Sequence, residues 1–154
     1  MKNKFKNKKV LITGHTGFKG SWLATWLKKL DAKVITLSKD VPTTPAHYDL
    51  MKDLLDSDIR MDVTNYEEIS KTIHNYKPDY LFHLAAQPIV LTSYDDPFTT
   101  FQSNTVGTLN ILESLRKSNH KCTAIIITSD KCYENLDQKI KYKESDRMGG
   151  KDPY

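Results

Sequence analysis

Apolar and polar positions fall in blocks along the chain, and the blocks have two periods. Lys9 to Thr13 (KVLIT) is a short continuous apolar run, the pattern of a strand buried on both faces. From Phe18 to Lys29 the spacing becomes helical, with Trp22, Leu23, Trp26, Leu27 and then Leu30 recurring every three or four residues. Lys33 to Leu37 predicts a second strand and Ser57 to Met61 a short third one. Between them Ser38 to Asp49 reads as a loop, marked by Pro42, Thr43, Thr44 and Pro45. Thr64, with Glu67 three residues on, has the form of a capping box and predicts a helix through Tyr76. Asp79 to Leu84 predicts a fourth strand and Ala124 to Thr128 a fifth. Pro97 to Lys117 predicts a long helix with Phe101, Leu109, Leu112 and Leu115 facing inward. Strands alternating with helices predict an α/β fold: a doubly wound, Rossmann-type parallel sheet covered on both faces.

The first strand runs directly into Gly14-His15-Thr16-Gly17-Phe18-Lys19-Gly20. A tight turn from strand to helix needs glycine at the bend. A pyrophosphate needs backbone with no side chain in the way, and the following helix aims free N–H groups at it. A glycine triplet alone is a weak signal, but here it follows a predicted strand and opens a predicted helix, which is the context dinucleotide binding requires. His15 and Lys19 stand open between reaching phosphate and lying in a solvated loop. At the end of the second strand stand Ser38, Lys39 and Asp40. Asp40, about 20 residues past the glycines, suits the ribose hydroxyls of NAD, whereas Lys39 suits the extra phosphate of NADP. The residues themselves leave that choice open.

Composition narrows the picture further. A chain of 154 residues with 38% hydrophobic and 27% charged residues suits one folded domain rather than a disordered segment. Its apolar runs are too short to cross a membrane, and the Lys-rich start leads into a strand rather than a signal-peptide core, so a cytoplasmic protein is expected. The net charge is +4, but five lysines lie in the first nine residues, so the excess reads as a solvated tail and not as a nucleic-acid surface. Two cysteines make neither a disulfide framework nor a zinc site, and no metal is expected; Cys122 opens an apolar run and reads as core, Cys132 as loop. Asp130 to Tyr154 is polar and without period, and a compact domain rarely ends that way. The expectation is that residues 1–154 are a nucleotide-binding domain truncated before a substrate domain.

The Gly-x-x-Gly-x-x-Gly spacing resembles the extended short-chain dehydrogenase/reductase family. Within it, the stretch Ser129-Asp130-Lys131-Cys132-Tyr133-Glu134 resembles the sugar-nucleotide 4,6-dehydratases that act on CDP-glucose, as do Gly14 to Trp22 (GHTGFKGSW), His83 to Pro88 (HLAAQP) and Gly149 to Tyr154 (GGKDPY). The resemblance implies that Gly14, Thr16, Gly17, Phe18, Gly20, Ser38 and Asp40 bind the cofactor. It implies that Asp62 and Val63 lie by the adenine, with a helix cap as the plainer role for Asp62. Leu84, Ala85 and Ala86 would let the cofactor ribose lie close, and Asn104 would be a structural Asn. Ser129 would hydrogen-bond the sugar 4-hydroxyl and Tyr154 would take its proton. By position, Asp130 becomes the acid for the C6 hydroxyl and Lys131 the base for C5, freed of its own proton by burial beside other cations. The implied reaction converts CDP-glucose to CDP-4-keto-6-deoxyglucose by oxidation at C4, loss of water across C5–C6 and return of hydride to C6. Because the cofactor is regenerated in each turnover, the resemblance favours NAD. It also implies a homodimer built on the long helix.

Two departures stand out. Leu91 and Thr92 precede Ser93-Tyr94 where the family usually has basic residues, and the Lys four residues beyond Tyr154 is not in this sequence. A 4-epimerase or reductase would share the turn and the Ser/Tyr pair without needing Asp130-Lys131. A dinucleotide-binding fragment without catalysis is the third reading.

Overall fold

The computed structural model describes residues 4–137 and 139–154, so the first three residues of the basic tail lie outside the described ones. Five parallel strands form one sheet in the order β3-β2-β1-β4-β5: β1 Lys9–Thr13, β2 Lys33–Ser38, β3 Ser57–Arg60, β4 Tyr80–His83 and β5 Thr123–Ile126. Helices α1 (Phe18–Lys29), α3 (Tyr66–Tyr76) and α6 (Gly107–Lys117) cover it, and short helices α2 (Tyr48–Met51), α4 (Val90–Asp95) and α5 (Pro97–Phe101) sit in the connections.

Strand period divides the core in two. Val10 and Ile12 of β1 point to one face, where they meet Val34, Ala24 and Leu27 of α1, and Tyr48 and Met51 of α2. Leu11 points to the other, with Ile35, Leu37, Leu81, Ile69 and Ile73 of α3, and Ile111 of α6. Both clusters are closed to solvent, and each fully buried Ile or Leu contributes about 2 kcal/mol. The sheet is thus doubly wound, as the alternation predicts. Coverage thins at one edge, where Thr123 and Ala124 of β5 are exposed.

Several local expectations need correction. The cap of α3 is Asn65, whose side chain accepts from the Glu68 N–H (3.2 Å), not Thr64; Thr64 instead donates through backbone and hydroxyl to Asp62 Oδ1 (both 2.9 Å). The loop expected from Ser38 to Asp49 ends in α2, which starts within it, followed by a 3-10 turn at Lys52–Leu54. The helix expected from Pro97 to Lys117 is interrupted by a π-helical turn at Gln102–Val106. Its inward face is also different. Phe101, Leu109 and Leu112 are exposed, along with Phe98 and Val106, while Thr100, Gly107, Asn110, Ile111 and Ser114 are buried and only Leu115 of the expected set packs on the core. Small and polar side chains are what allow this helix to lie close: the Asn110 amide donates to the carbonyls of Val63 (3.0 Å) and Thr64 (2.9 Å), pinning the turn after β3. The basic tail is exposed but tied to the fold. Lys8 pairs with Asp79 (3.1 Å), Lys9 donates to the Tyr76 carbonyl (3.1 Å), and Phe5 sits edge-on to Tyr80. Cys122 is half-buried at the rim of the second cluster, and burial pushes its thiol up to about 11.

Candidate functional site

The strand order reverses between β1 and β4, and in open parallel sheets the crevice beyond the strand ends at that switch point is where ligands bind. A cleft of about 930 Å³ opens there. Its floor is the glycine turn after β1 and the Leu84-Ala85-Ala86 segment after β4; one wall is Ser38 to Asp40 after β2 with Asp62 and Val63 after β3, and the other holds Asn104 and the turn after β5. Every residue that the sequence assigns to the cofactor lines this cleft, and so do Ser129, Lys131 and Tyr154. Asp130 lines a smaller adjoining hollow of about 420 Å³, shared with Lys19, Ser129, Lys131 and Tyr154.

Backbone geometry explains the glycines. Gly14 has φ +75°, and a Cβ there would meet the Ala85 nitrogen at 2.6 Å; a Cβ at Gly20 would run into the Gly14 carbonyl. Both close the turn against its neighbours. Gly17 differs: a Cβ there would come no closer than 3.5 Å to the Gly14 carbonyl oxygen. The fold itself has room for a Cβ at Gly17, on the side that faces the cleft. Gly17 is also the N-cap of α1 and makes no side-chain cap, and the first turn carries no acid. Its free N–H groups and the positive end of the helix suit an anionic group in the cleft.

Behind the cleft, buried hydrogen bonds fix the strand ends. The Thr13 hydroxyl accepts the N–H groups of Leu84 and Ala85 (each 3.2 Å) and lies 2.7 Å from His83 Nδ1; His83 Nε2 lies 3.1 Å from the Thr108 hydroxyl, which donates to the Asn104 carbonyl (2.6 Å). Thr13, with its acceptor capacity taken by two amides, donates to His83 Nδ1, so the ring is neutral with its proton on Nε2. Burial agrees, pulling the His83 pKa down to about 4. Asn104, in the π-helical turn, then clamps Gln87 at two points: its Oδ1 accepts the Gln87 N–H (2.8 Å) and its Nδ2 donates to the Gln87 carbonyl (3.1 Å). The supporting Thr13, His83 and Thr108 escaped the sequence reading because a buried polar relay has no periodicity.

His15 falls outside both sequence readings. It neither reaches into the cleft nor lies in solvent; it is fully buried, 2.9 Å from the Ser38 hydroxyl through Nδ1 and 3.0 Å from Asp58 through Nε2. The second contact lacks hydrogen-bond alignment and becomes an ion pair only when the ring is protonated. Burial lowers the His15 pKa, and Asp58 opposes it. Ser38, which also accepts the Thr16 N–H (3.4 Å), is thus engaged from below, while the Thr16 hydroxyl holds the Asp40 carbonyl (2.6 Å). Lys39 pairs with Asp62 on the same wall of the cleft (3.1 Å). Asp62 is therefore neither a free carboxylate nor the cap of α3, and the Thr64 hydrogen bonds and Lys39 hold its carboxyl below the usual range against the effect of burial.

After β5 the chain makes a 3-10 turn at Asp130–Cys132, capped by Ser129, whose hydroxyl accepts the Lys131 N–H (3.1 Å) and stands 3.4 Å from Asp130 Oδ1. The polar segment that follows is not shapeless. It doubles back through a bridge between Tyr133 and Met148, with Glu134 N–H on the Arg147 carbonyl (2.9 Å) and Gly149 N–H on the Cys132 carbonyl (3.0 Å). This return brings Tyr154 to the turn. The surroundings expected of Lys131 are not found: its side chain is 45% exposed, and its neighbour is an anion, Asp152, at 3.2 Å.

Residues 11–154 match the family described as GDP-mannose 4,6 dehydratase. The chain belongs to that family. Among curated relatives it is 41% identical to the CDP-glucose 4,6-dehydratase of Salmonella typhimurium, over 99% of this chain and 43% of that protein. It is 36% identical to the CDP-paratose 2-epimerase of Salmonella typhi, over 90% of this chain and 41% of that one. Among solved structures it superposes on Pal from Bacillus thuringiensis with a TM-score of 0.84 at 27% identity, covering 95% of this chain and 47% of that one. It superposes on the UDP-glucose 4-epimerase of Thermus thermophilus, solved as a complex with NAD, with a TM-score of 0.77 at 25% identity, covering 94% and 45%. The chain spans less than half the length of these family relatives. Among the described residues no helix is long and apolar enough to cross a membrane.

Proposed function

We propose that this chain forms the cofactor-binding half of a nucleotide-sugar 4,6-dehydratase acting on CDP-glucose, with NAD as cofactor. The observation that carries the reading is the gathering of Ser129, Asp130, Lys131 and Tyr154 at one end of the cleft whose other parts hold the glycine turn, Asp40 and Asp62. Similarity to the Salmonella typhimurium enzyme supports CDP-glucose, and the engagement of Lys39 by Asp62 supports NAD, since that ammonium already has a partner.

The cleft fits the cofactor on its own terms: an uncapped helix start for the pyrophosphate, room above Gly17, and small side chains at Ala85 and Ala86. Bound there, NAD supplies a hydride acceptor for C4 and a donor for C6. The chain's residues do the rest. Ser129 holds the sugar 4-hydroxyl, and Tyr154, as phenolate, removes its proton. The C4 ketone makes the C5 proton acidic, because the resulting charge spreads onto oxygen. Lys131, after its ammonium gives up a proton to solvent, takes the C5 proton, while Asp130 in its protonated form gives a proton to the departing C6 hydroxyl. The exposed row Phe98, Phe101, Val106, Leu109 and Leu112 is the surface for a homodimer of the whole protein.

Gly17→Val tests the cofactor assignment. Because the fold has space for the new side chain, the variant should fold and melt as the wild type does. Its branched side chain stands where the pyrophosphate approaches. Calorimetric titration should show NAD binding to the wild type, weaker binding of NADP, and no measurable NAD binding to Gly17→Val. Tighter binding of NADP than of NAD would overturn the cofactor assignment.

A further inference from the structure

We propose that Asp152 is a positioning residue that holds Lys131 and Tyr154 in one frame; the inference rests on the roles just given to those two residues. The Asp152 side chain is only 11% exposed, and each of its oxygens has a separate task. Oδ2 lies 3.2 Å from Lys131 Nζ, and Oδ1 accepts the backbone N–H of Tyr154 at 3.1 Å. A carboxylate so far out of water needs such partners, and here they come from two segments that meet only by folding back.

The backbone ladder that brings the segments together stops at Gly149. Among the described residues, no backbone–backbone hydrogen bond ties 150–154 to the turn after β5. Asp152 therefore carries the register from the ladder to the phenol. It also fixes Lys131, a long flexible side chain that is half in solvent. The other charged or titratable groups around Lys131 are Asp130 and Cys132 on its own turn, Lys19 from α1 across the adjoining hollow, and Tyr154. Among the described residues, Asp152 is the carboxylate within ion-pair distance of Lys131. Its two oxygens thus aim the base for C5 and the group that deprotonates the 4-hydroxyl from one point. The sequence reading did not single it out, because an Asp before Pro-Tyr reads as an ordinary turn residue.

Two substitutions separate the two tasks. In Asp152→Asn the amide oxygen still accepts the Tyr154 N–H, but no charge remains to hold Lys131. In Asp152→Ala both contacts go. In a full-length protein carrying this chain, Asp152→Asn should slow exchange of the C5 proton with deuterated solvent by roughly 10- to 100-fold, while oxidation at C4 stays near the wild-type rate. Asp152→Ala should slow both steps. Loss of a merely structural residue would slow both steps together in both variants, and that result would overturn the proposal. A second measurement needs no turnover. In the 154-residue chain, competitive acetylation read by mass spectrometry should label Lys131 several-fold faster in both variants than in the wild type, relative to the remaining lysines. Unchanged labelling of Lys131 would overturn the proposal by itself. A wild-type protein that makes no dehydrated sugar would instead contradict the functional reading, and the labelling result would then decide the place of Asp152.

Discussion

Replacing Tyr154 by Phe is expected to halt the reaction at its first step. In the proposed mechanism Tyr154, as phenolate, takes the proton of the 4-hydroxyl, and phenylalanine has no oxygen to do so. General acid–base groups contribute about 10²–10⁴-fold, so in a full-length protein the C4 oxidation should fall by that factor, read as loss of reduced-cofactor absorbance on mixing with CDP-glucose. Asp130→Asn should behave differently. Asp130 lies on the turn after β5, and the proposed mechanism uses it only at the C6 hydroxyl, so the first step should survive and a 4-keto sugar still carrying its 6-hydroxyl should accumulate. Equal loss of oxidation in both variants would remove the division of roles between Asp130 and Tyr154.

Gly20→Val is expected to prevent folding, whereas Gly17→Val is tolerated. The contrast is steric. A Cβ at Gly20 would overlap the Gly14 carbonyl and come within 2.7 Å of the His15 Cα, both of which are backbone and cannot swing aside. Moving them would pull the turn off β1 and disturb His15, which is buried beneath it. Overpacking against backbone that cannot move costs more than about 4 kcal/mol, a large part of the stability of a domain this size. Circular dichroism should show little cooperative thermal unfolding for Gly20→Val and a wild-type transition for Gly17→Val. A Gly20→Val protein that melts normally would mean that the turn does not close as described.

The large features of the fold were legible because they rest on periodicity and on glycine. The run KVLIT and the helix from Phe18 to Lys29 fall where the spacing puts them, and the residues chosen around the glycine turn all line one cleft. What escaped follows a different logic. The long helix was assigned an inward face from its apolar residues, but it approaches the sheet through Thr100, Gly107, Asn110 and Ser114, because small side chains and an amide that can cap two carbonyls allow closer contact. Its apolar row is turned outward instead. His15, in a glycine-rich turn, reads as either a phosphate contact or a solvated loop residue, yet it is buried, because its partners Ser38 and Asp58 lie far away in sequence, on β2 and β3, and no local pattern announces them. The segment after Asp130 lacks periodicity because its order comes from a few backbone bonds and one carboxylate, Asp152, rather than from an apolar face.

The most direct test of the account is the identity of the product. A full-length protein carrying this chain should be incubated with CDP-glucose and NAD in deuterated water, and the sugar nucleotide examined by mass spectrometry and NMR. The account predicts a 4-keto-6-deoxy sugar, lighter than the substrate by one water before isotopic labelling, with deuterium at C5 and no such labelled product when Lys131 is replaced by Met. A product of unchanged mass and inverted configuration at C4 would contradict it, and would make the Asp130-Lys131 pair a feature of the turn rather than of the chemistry.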